Sequence, residues 1–254
     1  MKTLFDLGGR TALIAGAGGL GTGMAEGLSL AGADIVVADL SPANTARAAH
    51  AVRERGRKAL EVAFDINDRA SIERVVDDAL ALTGRIDILV NSVGISRMGH
   101  AEDLSVEDWN AVIHGFLTGV FDCCQVVARK AMIPQKYGKI INVASMSGMV
   151  VTGDMGSSYA AAKAGVIQLS RALGTEWAKY GINVNCISPG YMLTPLTEGF
   201  LSSPQVSEPI LNAIPKRRFG RPEDMAGAIV FLASDSADYV LCHNLVLDGG
   251  YTAR

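Results

Sequence analysis

The sequence predicts an α/β fold, a doubly wound parallel sheet with helices on both faces, and three observations predict it. Short apolar runs fall at residues 11–15, 35–38, 60–64, 86–90, 140–144, 182–187 and 245–247, and runs of this kind suit strands buried on both faces. Between them, segments 23–31, 43–55, 71–82, 106–131, 158–179 and 223–232 carry apolar residues at helical spacing, and such alternation implies crossover connections in a parallel sheet. At 254 residues and 49% hydrophobic the chain is long enough to bury a full core, so one domain over 1–254 is expected.

Taken in order, the first run, Thr-Ala-Leu-Ile-Ala, leads into Gly16-Ala17-Gly18-Gly19-Leu20-Gly21, which fits G-x-G-x-x-G and opens the helix at 23–31. Glycines there let the backbone turn tightly and approach a pyrophosphate, whose charge meets the helix N-terminus. A glycine-rich loop is also a common tight strand-to-helix turn, so the motif needs support. The second run supplies it by ending in Ala38-Asp39, where an acidic side chain can accept hydrogen bonds from the adenosine ribose hydroxyls. A carboxylate repels a 2′-phosphate, and neither Leu40 nor Ser41 supplies an arginine to hold one. The pairing predicts NAD rather than NADP, unless Asp39 only closes its strand.

The helices at 43–55, 71–82 and 106–131 return the chain to the third, fourth and fifth runs. The fifth ends in Ser145. A hydroxyl at the carboxyl end of a parallel strand faces the ligand crevice, although a serine there is also a common turn or helix cap. Segment 158–179 then puts Tyr159 and Lys163 four residues apart on one helix face. Chance produces that spacing in many chains; the chemistry strengthens it. A phenol of free pKa about 10 is a poor base at neutral pH unless positive charge stabilises its phenolate, and Lys163 with an oxidised nicotinamide can provide that charge. After the sixth run, residues 191–221 are rich in Ser and Pro without strong periodicity, and a connection that long is usually functional. It is expected to be a lid over a substrate. Helix 223–232 and the seventh run complete the sheet.

A formal charge of -3 with no long Lys or Arg block gives no electrostatic footprint for nucleic acid or an anionic membrane. No segment is read as spanning a bilayer or as an export signal. Four cysteines, two of them adjacent (Cys123 and Cys124) and two isolated (Cys186 and Cys242), show neither metal-ligand spacing nor a disulfide framework. They are expected to be buried small hydrophobes in a reducing, cytoplasmic compartment, with no metal site. A small-molecule substrate is therefore the expected partner.

Together these residues resemble the short-chain dehydrogenase/reductase family over essentially the whole chain, in particular its bacterial polyol and sugar-acid dehydrogenases. The resemblance implies a Rossmann-type enzyme that moves a hydride between NAD and a secondary alcohol or ketone. Tyr159 would exchange the proton, Ser145 orient the oxygen, and Lys163 lower the tyrosine pKa and hold the nicotinamide ribose. Asp65, with Ile66 beside it, is similar to the family's adenine contact, and Asn91-Ser92-Val93-Gly94 to its Asn-Asn-Ala-Gly. Pro189-Gly190, Met192 and Thr194 resemble its nicotinamide-side segment, and Asp248-Gly249-Gly250 its C-terminal signature. Family members of this type are usually homotetramers, which here would pair helices 106–131 and 158–179.

Three departures stand out. The glycine loop is one residue shorter than the family's Thr-Gly-x-x-x-Gly-x-Gly, which implies a tighter phosphate loop. A family Asn that supports the proton relay falls at Phe116, which cannot hydrogen-bond a relay water. His114, two residues along the helix, lies about 200° away. Val93 replaces a small alanine and is expected only to fill space.

The substrate is the least legible part. Lys216-Arg217-Arg218 can bind a carboxylate or phosphate, though such a cluster is more often a solvated face. Ser96, His100, Thr152, Asp154 and Ser157 can read hydroxyl groups, whereas Met98, Met146, Met149, Met155 and Met192 argue for an adaptable apolar wall that suits a cyclic hydroxy compound. The alternatives to a polyol or sugar-acid dehydrogenase are a 3-ketoacyl thioester reductase, which Asp39 disfavours, and a non-catalytic NAD-binding regulator, which the intact Ser145, Tyr159 and Lys163 disfavour.

Overall fold

The computed structural model describes residues 4–94, 97, 99–153 and 155–253. Its seven strands, β1 (Thr11–Ala15), β2 (Asp34–Asp39), β3 (Ala59–Ala63), β4 (Ile88–Asn91), β5 (Gly138–Val143), β6 (Ile182–Pro189) and β7 (Asn244–Leu247), form one sheet. The order is β3-β2-β1-β4-β5-β6-β7 and every pairing is parallel. This is the Rossmann-type doubly wound arrangement.

Alternation along each strand explains why the apolar runs are continuous. Leu13 and Ala15 enter one core with Val36, Leu89, Ile140 and Val184, while Ala12 and Ile14 enter the opposite core with Ile35, Val37, Ile88 and Ile141. The first core is closed by helices α3 (Arg69–Thr83), α4 (Val106–Gln135) and α5 (Ser157–Trp177), and the second by α1 (Gly19–Leu30), α2 (Pro42–Glu54) and the helix Ala226–Ala233. Edge strand β3 alternates instead, with Leu60 and Val62 packed on the first core.

Local chemistry sets the helix ends. The Asp68 carboxylate accepts from Ala70 N–H and the Ser105 hydroxyl from Asp108 N–H at the starts of α3 and α4, as N-caps do. Gly84, in the left-handed region, ends α3. Helix α1 begins at Gly19, earlier than the periodicity suggested, because Gly18 caps it directly from the turn. Residues 191–221 are also more ordered than their composition indicated, with short helices at Glu198–Leu201 and Pro204–Ala213.

Helix α4 corrects one expectation. Its best window has a mean hydropathy of 1.5, so by length and composition it is able to cross a membrane, yet 56% of that window is buried in the protein. More than half of that window therefore packs within the protein itself. It is also not uniformly α-helical, because π turns occupy His114–Thr118 and Ala128–Met132. The first leaves His114 exposed and buries Phe116.

At the amino ends of the strands, Asp87 is fully buried and accepts from Thr11 N–H (2.9 Å), Arg85 Nε (2.7 Å) and Arg10 Nη1 (3.3 Å). Removing it strips a buried backbone N–H and the Arg85 guanidinium of their partner and leaves Arg10 with Asp235. Asp87→Ala is expected to lower stability by about 3 kcal/mol, to be read by urea unfolding.

The strand order reverses between β1 and β4, and at such a switch point the carboxyl ends of the strands open a crevice. Gly16 follows β1 there and Ser92 follows β4.

Candidate active site

Gly16 turns the chain out of β1 at φ +94°, and a Cβ on it would lie 2.5 Å from Ser92 O across the crevice. A Cβ on Gly21 would overlap the carbonyl oxygen of Gly16, so the first turn of α1 closes onto the loop. Gly18, by contrast, has no heavy atom within 4 Å of that position. The loop is thus tight underneath and open on top, with the N-terminus of α1 facing the opening. An anionic pyrophosphate fits such a cradle. Over it comes the segment after β6, because a Cβ on Gly19 would meet Thr194 Cβ at 3.0 Å and Pro195 Cδ at 3.1 Å.

At the end of β2, the Asp39 carboxylate accepts from Ala17 N–H (2.7 Å), Ser41 N–H (2.8 Å) and Asn44 Nδ2 (3.1 Å). It is fixed beside the glycine loop, and the nearby Arg47 donates to Asn44 Oδ1 at 2.9 Å. Asn44 and Arg47 escaped sequence reading because their spacing from Asp39 matches no motif; only the turn into α2 brings them near. Asp65 lies past β3, where its Oδ1 accepts from Asn67 N–H at 2.9 Å, and Ile66 is buried against Gly119 of α4.

Asn91 is turned inward rather than toward the crevice. It is 1% exposed, and its Nδ2 donates to Asn142 Oδ1 at 2.8 Å, which in turn bonds Ser170 of α5 through Nδ2 at 2.9 Å. Its Oδ1 has no hydrogen-bond partner. This chain ties β4, β5 and α5 together behind the site. Gly94 is exposed, and Pro189 ends β6 with Gly190 following it against Asp248, whose Cα would lie 2.7 Å from a Cβ on Gly190. Met192 and Thr194 are buried.

Ser145, Tyr159 and Lys163 meet at the carboxyl end of β5. The Ser145 hydroxyl oxygen accepts from Ser147 N–H at 3.1 Å, and the hydroxyl lies near enough to the Tyr159 phenol to favour its ionised form. Burial pushes the phenol above its ordinary range, while the Ser145 hydroxyl opposes that shift. One turn along α5, Lys163 is 3% exposed and its Nζ donates to Val143 O at 2.6 Å. Burial pushes its ammonium down to about 7. Phe116 packs edge-to-face on Tyr159, with ring centroids 5.1 Å apart.

Of the residues considered for substrate, Ser96, Met98 and Asp154 lie outside the described residues. Thr152 bonds Ser147 Oγ at 2.8 Å, and its carbonyl accepts from Tyr191 O–H at 3.1 Å. Tyr191 also packs on Tyr251 at 5.6 Å, a contact between distant segments with no sequence signal. Met149 and Met155 are exposed, whereas Met146 and Met192 are buried; His100 and Ser157 are exposed. Arg218 is paired with Asp224 at 2.6 and 2.8 Å, and Arg217 with Asn212. Lys216 lines a cleft of about 230 Å³ with Tyr191, Met192 and Asp248.

Among the cysteines, Cys123, Cys124 and Cys186 are buried and Cys242 is partly exposed; all four are free. Burial pushes the Cys124 and Cys186 thiols up to about 12 and about 11, which leaves little thiolate at neutral pH.

A family profile described as enoyl-(acyl carrier protein) reductase matches residues 14–252. The 2-dehydro-3-deoxy-D-gluconate 5-dehydrogenase of Dickeya dadantii is 42% identical over 98% of both chains. The D-threitol dehydrogenase of Mycolicibacterium smegmatis is 39% identical over 98% of this chain and 95% of its own. A solved gluconate 5-dehydrogenase from Burkholderia cenocepacia, in complex with NADP and tartrate, superposes with a TM-score of 0.93 at 37% identity, covering 99% of this chain and 98% of that one. With this sheet order, glycine loop and whole-length similarity, the chain belongs to the short-chain dehydrogenase/reductase family of oxidoreductases.

Proposed function

We propose that the protein is an NAD-dependent dehydrogenase of secondary alcohols, acting on a polyol or sugar acid. The carrying observation is the meeting of Ser145, Tyr159 and Lys163 at the end of β5, together with a glycine cradle braced by the Asp39 carboxylate at the end of β2. Gly16 to Gly21, Asp39, Asp65, the 189–194 segment and Lys163 would hold the dinucleotide; when bound, it supplies or accepts the hydride.

In alcohol oxidation Tyr159 takes the hydroxyl proton as the carbon is oxidised, and in reduction it returns that proton. With substrate present Ser145 turns its hydroxyl hydrogen to the reacting oxygen and holds that oxygen beside the phenol. Lys163 stabilises the phenolate by its charge, an effect strengthened by a site that excludes water. Residues 191–221 are assigned as the lid that would add to that exclusion, a reading supported by the approach of Thr194 and Pro195 to Gly19 of the glycine loop.

The sugar-acid and polyol relatives support the substrate class. The test is reduced-nicotinamide formation with NAD and with NADP across sugar acids, polyols and hydroxyacyl thioesters. Turnover of only the thioesters would move the reading to a ketoacyl reductase, and tight NADH binding without any turnover would move it to a regulator.

Asp39 carries the cofactor preference. Several structural neighbours bind NADP, so the comparison is direct: wild type is expected to favour NAD, and Asp39→Ala to weaken NADH binding by about tenfold by removing ribose acceptors. Direct fluorescence titration checks both, and wild-type preference for NADPH overturns the assignment.

A further inference from the structure

Lys163 Nζ has few partners for a buried cation. An ammonium carries three N–H donors, and one of them goes to Val143 O. The groups that face it come from three elements: Tyr159 on its own helix, the Val143 carbonyl at the end of β5, and the Phe116 ring on α4. Among the described residues no carboxylate pairs with it, and burial pushes its ammonium down. The nitrogen lies 4.4 Å from the centroid of the Phe116 ring and 5.8 Å from that of Tyr159.

The protein makes room for this ring. A Cβ on Gly94 would overlap Cε1 and Cζ of Phe116, so only a residue without a side chain lets the phenyl group reach the ammonium. The π turn His114–Thr118 turns Phe116 inward while His114 faces solvent. A benzene face presents negative charge to a cation within about 6 Å and offers no ordinary hydrogen bond to water.

We propose that Phe116 is a positioning residue that keeps Lys163 protonated in a dry pocket, its ring face standing where a carboxylate or water would otherwise sit. This rests on the reading of Tyr159 and Lys163 as the reacting pair. Burial pulls the lysine down toward neutral pH, so a group that favours the ammonium bears directly on its charge there. A ring face at this distance favours the charged form by enough to move the midpoint about one pH unit. Losing that charge removes the support for the Tyr159 phenolate.

The test uses the cofactor-free protein with carbon-13 at lysine Cε, the Lys163 resonance being assigned by its loss in Lys163→Arg. Phe116→Leu and Phe116→Met keep apolar bulk without a π face, and urea unfolding reports whether each is folded. In a folded variant the Lys163 midpoint is expected to fall by about one pH unit. The alkaline limb of the turnover profile should move down with it, a change that simple loss of packing does not produce. An unchanged midpoint in either folded variant overturns the proposal. The titration needs neither cofactor nor substrate, so retention of turnover in Tyr159→Phe would refute the catalytic reading while leaving this measurement to stand or fall by itself.

Discussion

Tyr159→Phe is expected to lower kcat by about 10²- to 10⁴-fold, the range by which positioned acid/base groups act, while NADH affinity stays within about threefold of wild type. The substitution keeps the ring that packs on Phe116 at 5.1 Å and removes only the hydroxyl near Ser145. Little changes in the fold, so the unfolding midpoint should not move. Steady-state rates beside NADH fluorescence separate the two effects. Turnover near wild type would show that another group exchanges the proton, and loss of NADH binding would mean that the phenol serves the pocket rather than the reaction.

Gly21→Ala and Gly18→Ala should part company although they sit in one motif. Alanine favours a helix over glycine by about 1 kcal/mol, but at Gly21 its methyl group would overlap the carbonyl oxygen of Gly16. Backbone contact wins there, because neither side can rotate away. Gly21→Ala is expected to lower the thermal midpoint and to weaken NADH binding by at least about tenfold. At Gly18 the same methyl meets no heavy atom within 4 Å, so stability should remain within about 0.5 kcal/mol. Any loss of NADH affinity in Gly18→Ala then reports crowding by the ligand itself. Wild-type binding in Gly18→Ala would place the pyrophosphate elsewhere, and wild-type binding in Gly21→Ala would end the cradle assignment.

By itself the sequence determined the sheet, the helices and their parallel connections. Strands buried on both faces must be continuously apolar, and the runs at β1, β4 and β5 are, so their periodicity was readable without contacts. It also marked the chemically equipped residues at the strand ends, since Gly16 to Gly21, Asp39, Ser145, Tyr159 and Lys163 follow from spacing and chemistry that act over a few residues. The ends of α1 and the helices within 191–221 were less legible because capping and packing against the glycine loop decide them, and α4 passed for a possible span only once length and hydropathy were measured apart from its burial.

Tertiary structure alone decided how these residues meet. The partners of Asp39 at Asn44, the inward turn of Asn91 toward Asn142, and the pairing of Arg218 with Asp224 depend on geometry that no local pattern encodes. Phe116 shows the limit most clearly. In the sequence it reads only as a departure from the family's relay Asn; its face reaches Lys163 because a π turn rotates it and Gly94, on another segment, leaves it room. Local preferences come from each residue's own backbone and side chain, whereas the environment of a buried charge is the sum of every element packed around it.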